Sequence, residues 1–142
     1  MKSYLKLNNE VLNTYSTTGV IDLEKDKEAT KRYFLDEVNV KMRYFIDLEE
    51  KLKYLINEGY YEEEFLSKYS MTFIKKIFKI AYSYNFRFPS FMSASKFYSG
   101  YALKSKDDNE ILEKYEDRMA VVALYLADGD KVFAEKAVRY MM

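Results

Sequence analysis

A single proline, Pro89, interrupts these 142 residues, and on both sides of it apolar residues recur at the spacing of an amphipathic helix. Strands would instead show alternation and frequent turn residues. Helix-start signals punctuate the pattern. Asp22 precedes a predicted helix over about 23–38, with Glu24 in its first turn and Ala29, Tyr33, Phe34 and Val38 near one face. Asp47 with Glu50 makes a capping box for a helix whose stripe is Leu48, Leu52, Leu55 and Ile56, and Gly59 is its stop. YYEEEFLSKY reads as a short helix with glutamates in its first turn. Ser70 caps MTFIKKIFKIAYSYN, where Phe73, Ile74, Ile77, Phe78 and Ala81 face a core while Lys75, Lys76 and Lys79 face water.

Pro89 biases Phe88 toward an extended backbone, so a new helix begins near Ser90 and Gly100 ends it. YALK has the length of one short strand or hairpin arm, or of an extended connection. A long helix is predicted over about 110–126, its stripe being Ile111, Leu112, Tyr115, Met119, Val122, Ala123 and Leu126. DGD at 128–130 closes it and caps a last helix, KVFAEKAVRYMM. The expectation is a mainly α chain in two small helical clusters, 1–85 and 86–142.

Two absences limit the chemistry. With no Cys there is no disulfide, thiolate ligand or thiol nucleophile, and with no His the commonest general base and zinc ligand are missing. Catalysis would rest on carboxylates, Lys or Tyr. Lys plus Arg and Asp plus Glu number 23 each, so no net field favours a nucleic acid or an anionic membrane as partner. The start, MKSYLKLNNE, lacks the apolar core of a signal peptide, and no run has the length of a membrane span, which points to the cytoplasm. Glu62, Glu63 and Glu64 read as a solvated helix start rather than a metal site. The 4 glycines are isolated and form no phosphate loop.

One region has the ingredients of a nucleotide pocket. Asn39 lies at a helix end, and Arg43, Tyr44 and Phe45 follow just before the next helix amino terminus. A ring for base stacking, an amide for a base edge and a cation with a helix start for phosphate are what such a pocket needs. An interhelix loop with a packed aromatic anchor accounts for the same residues.

The words KLNNEV (6–11), EKDKEA (24–29), LEEKLKYLI (48–56), YYEEEFL (60–66), FRFPSFMSASKFYSGYALK (86–104) and LEKYEDRMAVVALYLADGD (112–130) occur in an order and spacing that resembles the amino-terminal part of class Ib ribonucleotide reductase large (alpha) subunits. The resemblance covers essentially the whole chain. It implies a shortened ATP-cone-like module over 1–85, followed by the helical segment that packs against the catalytic barrel. In that passage Ser90, Ser93, Ala94 and Ser95 would allow close approach and the aromatics between them would pin the junction. The barrel, with its redox cysteines, lies outside these residues. The resemblance therefore implies a non-catalytic fragment of a split alpha subunit, or a truncated one, of which the split is the expectation. Its partners would be a separate barrel polypeptide and a beta subunit carrying a dimetal-tyrosyl radical. Docking would use Tyr125, Val132, Phe133 and Met141, which otherwise leave an apolar patch. The resemblance also implies a deoxyadenosine nucleotide or ATP at Asn39, Arg43, Tyr44 and Phe45, although Ile46 stands where some relatives carry His and the fuller cone's phosphate loop is missing. A stand-alone nucleotide-sensing or protein-interaction module is the other reading.

Overall fold

The computed structural model describes all of residues 1–142. Its helices are α1 (Ser3–Thr18), α2 (Leu23–Tyr33), α3 (Asn39–Lys41), α4 (Leu48–Asn57), α5 (Glu63–Ser67), α6 (Met71–Ser83), α7 (Phe91–Gly100), α8 (Tyr115–Ala127) and α9 (Lys131–Met141), with a π-helical turn, Phe34–Val38, between α2 and α3. No strand forms. Within YALK, Tyr101 and Ala102 turn off the end of α7, both N–H groups donating to Phe97 O, and β pairing is limited to isolated bridges at Ile111, parallel to Met42 and antiparallel to Lys104.

The helices gather into two compact units, residues 1–42 with 87–112 and residues 43–86 with 113–142. The linear division at 85/86 and this spatial one are different partitions, since each unit takes one stretch from either side of residue 86.

In the first unit α1 and α2 pair antiparallel across a turn at Gly19, whose φ of 73° closes α1 in the left-handed region. No cap or strong stripe announces α1 in the sequence; it forms because Tyr4 and Val11 are buried. Tyr4 meets Tyr33 edge-on at 5.1 Å, and both rings meet Phe91 of α7. The π turn widens the helix just where two consecutive aromatics must reach a core: Tyr33 turns to Phe91 while Phe34 packs on Phe88 and Tyr98. Ser90 and Ser93 differ from their expected role as spacers. Each side chain accepts from the other's backbone N–H at 3.2 Å, a reciprocal cap on α7, and only Ala94 is fully buried.

The second unit holds α4, α5, α6, α8 and α9. Its start signals work as read: Asp47 accepts from Glu50 N–H at 2.8 Å, Ser70 from Phe73 N–H at 3.2 Å and Asp130 from Phe133 N–H at 3.0 Å. Gly59, with φ 78°, ends α4. On α6 the apolar stripe is buried and Lys75, Lys76 and Lys79 are exposed.

Two expectations are corrected around α8. The helix predicted from Glu110 starts only at Tyr115, because the preceding backbone is already paired. Ile111 N–H donates to Lys41 O at 2.9 Å and Leu112 N–H to Leu103 O at 2.8 Å. The Asp117 carboxylate accepts from Lys114 N–H at 2.9 Å and fixes the helix start. The buried face also differs: Ala120, Val121, Ala123, Leu124 and Ala127 are inside, whereas Leu126 is 60% exposed. MAVVALYLA is apolar all round, so periodicity cannot choose a face. The alanines choose it, since a helix presenting methyl groups can approach α6 and α9 closely.

Candidate functional site

The stretch between α3 and α4 is extended at Met42, which turns the following side chains out of helical register. Arg43 lays its guanidinium over the Tyr54 ring at 4.2 Å and reaches the Phe45 ring at 5.6 Å, while Phe45 and Tyr54 pack at 5.4 Å. Stacking of this kind suits the planar, weakly hydrated guanidinium. Tyr44 points elsewhere and is 65% exposed, with Lys114 Nζ 5.8 Å from its ring. Two of the four residues singled out from the sequence, Arg43 and Phe45, thus join Tyr54 in one aromatic–cationic cluster of the second unit, and Tyr44 of the same unit stands apart from it beside Lys114. Asn39 belongs to the first unit, where it opens α3 at an exposed position.

Behind the cluster lies a buried polar network. Asp117, 2% exposed, accepts from Lys51 Nζ and from the Tyr82 hydroxyl, both at 2.6 Å, besides Lys114 N–H. Lys51 Nζ also lies 5.7 Å from the Phe45 ring, so one lysine ties α4 to α8 beneath the aromatic cluster. Glu113, fully buried, is held by Arg118 at 2.5 Å and by the Tyr61 hydroxyl. Burial first, then the Glu113 carboxylate, pushes the Tyr61 phenol well above its ordinary value. The Arg118 Nε is buried without an acceptor. None of Lys51, Tyr61, Glu113, Lys114, Asp117 or Arg118 stood out in the sequence. EKYEDR looks like any solvated helix start, and the one available hint was the fourfold spacing of Glu113 and Asp117.

A second concave region lies between α5 and α8. Clefts of about 380 Å³ and about 310 Å³ share Glu62, Phe65 and Tyr125, and the two rings meet edge-on at 5.5 Å. Glu62, Glu63 and Glu64 are all exposed beside it. Of the residues expected to dock a partner, Tyr125 is 58%, Val132 66% and Phe133 49% exposed. Met141 is half-buried, its carbonyl accepting from the Tyr115 hydroxyl at 3.1 Å. Ala134 and Val138 seal the inner side of α9, so the tail is covered on one face and open on the other. The chain has no group of three or more side chains placed to hold a metal, and no helix is long and apolar enough to cross a membrane.

Residues 4–86 match the family described as ribonucleotide reductase N-terminal, and residues 87–142 match the ribonucleotide reductase all-alpha domain. The chain is 57% identical over 140 residues to the ribonucleoside-diphosphate reductase NrdEB subunit alpha of Bacillus subtilis (strain 168), a match covering 99% of this chain and 13% of that protein. The ribonucleoside-diphosphate reductase subunit alpha of the same strain is 50% identical over 139 residues, 98% of this chain and 20% of the relative. The corresponding subunit of Mycoplasma pneumoniae is 34% identical over 142 residues, 100% of this chain and 19% of the relative. The chain therefore spans a fifth or less of these relatives.

Proposed function

Because this chain belongs to the ribonucleotide reductase family, we propose that it is the amino-terminal part of a class Ib ribonucleoside-diphosphate reductase alpha subunit. It works in the cytoplasm as the non-catalytic portion of a split protein, docked on a separate polypeptide that carries the catalytic barrel. The assembled enzyme reduces ribonucleoside diphosphates to deoxyribonucleotides, using a radical delivered by a dimetal-tyrosyl beta subunit. A chain without Cys supplies no thiol to such chemistry, so these residues contribute scaffold and regulation.

The observation carrying this reading is that Tyr125 on α8 and Val132 and Phe133 on α9 are left exposed while Ala134 and Val138 seal the inner side of α9. Reductase activity of the chain, of the barrel polypeptide and of their mixture tests it. Activity is expected only in the mixture; a barrel polypeptide fully active alone overturns the docking role.

A second reading is favoured by Tyr44, an exposed ring with Lys114 beside it. Stacking of a base on that ring, with Lys114 toward phosphate, supports a site for a deoxyadenosine nucleotide or ATP, in a regulatory or a stand-alone sensing module. Calorimetry with dAMP, dATP and ATP is expected to show heat that Tyr44→Ala removes. No heat from any of the three leaves this loop a packed anchor.

A further inference from the structure

We propose that the Asp128–Gly129 bond is a latent isoaspartyl modification site, held shut by Tyr69 and Lys68 and opened whenever the turn between α8 and α9 loosens. The inference does not rest on the reductase reading, since every group it involves lies in the second unit.

DGD at 128–130 is the one place in the chain where Asp precedes Gly. That pair is prone to isomerise because glycine has no side chain to shield its own backbone nitrogen. The Gly129 nitrogen forms a bond to the Asp128 carboxyl carbon, while its proton, one carboxyl oxygen and a proton from solvent leave as water. The resulting succinimide ring then takes up one water. Opening at the former backbone carbonyl leaves the chain running through the Asp128 side chain, one carbon longer, with that carbonyl now a free carboxylate. No cofactor or oxidant is consumed.

The reacting carbon is open to solvent. The Asp128 side chain is 72% exposed, and the residue sits at φ 48° and ψ 45°, in the left-handed region.

The fold blocks the attack at the nitrogen. Gly129 N–H donates to the Tyr69 hydroxyl at 2.8 Å, and that hydroxyl donates in turn to Leu124 O at 2.7 Å in the last turn of α8. Tyr69 is buried with its ring stacked on Phe73 at 5.5 Å, which fixes the acceptor in place. Lys68 guards the other reactant. Its ammonium pairs with Asp128 Oδ1, and its Cβ would lie 3.6 Å from a Cβ on Gly129, so its stem covers that side of the glycine. The flanking amides are engaged as well, Asp128 N–H with Tyr125 O at 3.3 Å and Asp130 N–H with Ala127 O at 2.9 Å. Ring closure therefore needs the turn to open, which local fluctuation supplies without global unfolding.

The test incubates the folded chain at neutral pH below its melting temperature and digests it with trypsin. Liquid chromatography with mass spectrometry then separates the 119–131 peptide from its isoaspartyl form. The wild-type chain is expected to accumulate the product slowly, and the same chain unfolded in urea far faster. Tyr69→Phe should speed the reaction in the folded chain by about fivefold or more, the gain from removing one hydrogen bond that opposes local opening. Lys68→Ala, a change at a partly exposed side chain, should speed it as well. Asp128→Glu, whose longer side chain does not close the five-membered ring, should abolish the product and so assign it to this bond. Ala123→Leu weakens the unit but leaves both guards, and should be slower than Tyr69→Phe; circular dichroism confirms that each variant is folded at the incubation temperature. A folded wild type modified as fast as the unfolded chain overturns the proposal. So does finding neither Tyr69→Phe nor Lys68→Ala faster than wild type, or Ala123→Leu as fast as Tyr69→Phe.

Discussion

At the scale of single residues, the buried carboxylates decide the behaviour of the second unit. Asp117 answers Lys51, Tyr82 and the start of α8 together. Truncating it leaves the mostly buried Lys51 ammonium without its counter-charge, and Asp117→Ala is expected to cost about 3 kcal/mol or more in urea unfolding. Asp117→Leu with Lys51→Met should cost clearly less than Asp117→Ala alone, because the penalty belongs to the orphaned charge rather than to the lost pair. Tyr61 gives a pH signature. Its phenol keeps its proton to a higher pH in the folded chain than in the unfolded one, whose ordinary value is 10.0. Stability from this group is therefore complete below that value and is lost as the pH climbs through it toward the raised folded value. Unfolding midpoints of wild type and Tyr61→Phe should stay a constant distance apart up to about pH 9 and converge above about pH 10. Tyr33 and Tyr115 are raised as well, so the variant keeps a smaller alkaline loss of its own.

At the scale of elements, the choice of face on α8 is the telling case. Ala123 is fully buried and Leu126 largely exposed, although both belong to one apolar run. Ala123→Leu forces extra volume into a fully buried position and should destabilise by about 1–3 kcal/mol. Leu126→Ala should change stability by less than about 0.5 kcal/mol, as for an ordinary surface change. Helix starts were legible because a cap is a local contract between one side chain and an amide three residues on, as at Asp22, Asp47, Ser70 and Asp130. The true start of α8 was not legible, because the groups pairing with Ile111 and Leu112 come from Lys41 and Leu103. Arg43, Tyr44 and Phe45 could be picked out as an aromatic–cationic run. Lys114, which faces Tyr44, could not, being 70 residues away in sequence.

At the scale of the whole molecule, interleaving has a direct consequence. The first unit needs Phe91, Ala94, Phe97 and Tyr98 from its later stretch, and the second needs α8 and α9. A fragment ending at residue 86 therefore has half of two cores. It is expected to show little cooperative thermal unfolding and poor dispersion of amide resonances, and the 142-residue chain is expected to unfold more cooperatively than the fragment. A well-folded, cooperative 1–86 fragment would show that α1, α2, α4, α5 and α6 suffice by themselves.

The sequence by itself determined that this protein is helical, where most of its helices begin and what chemistry it lacks, since periodicity, caps and missing residue types are properties of short stretches or simple counts. Only the tertiary structure decided which face of α8 is buried, where that helix begins, how the two units share the chain and which charges meet inside. Those outcomes depend on side chains and backbone groups far apart along the chain, and distance in space is what local pattern does not encode.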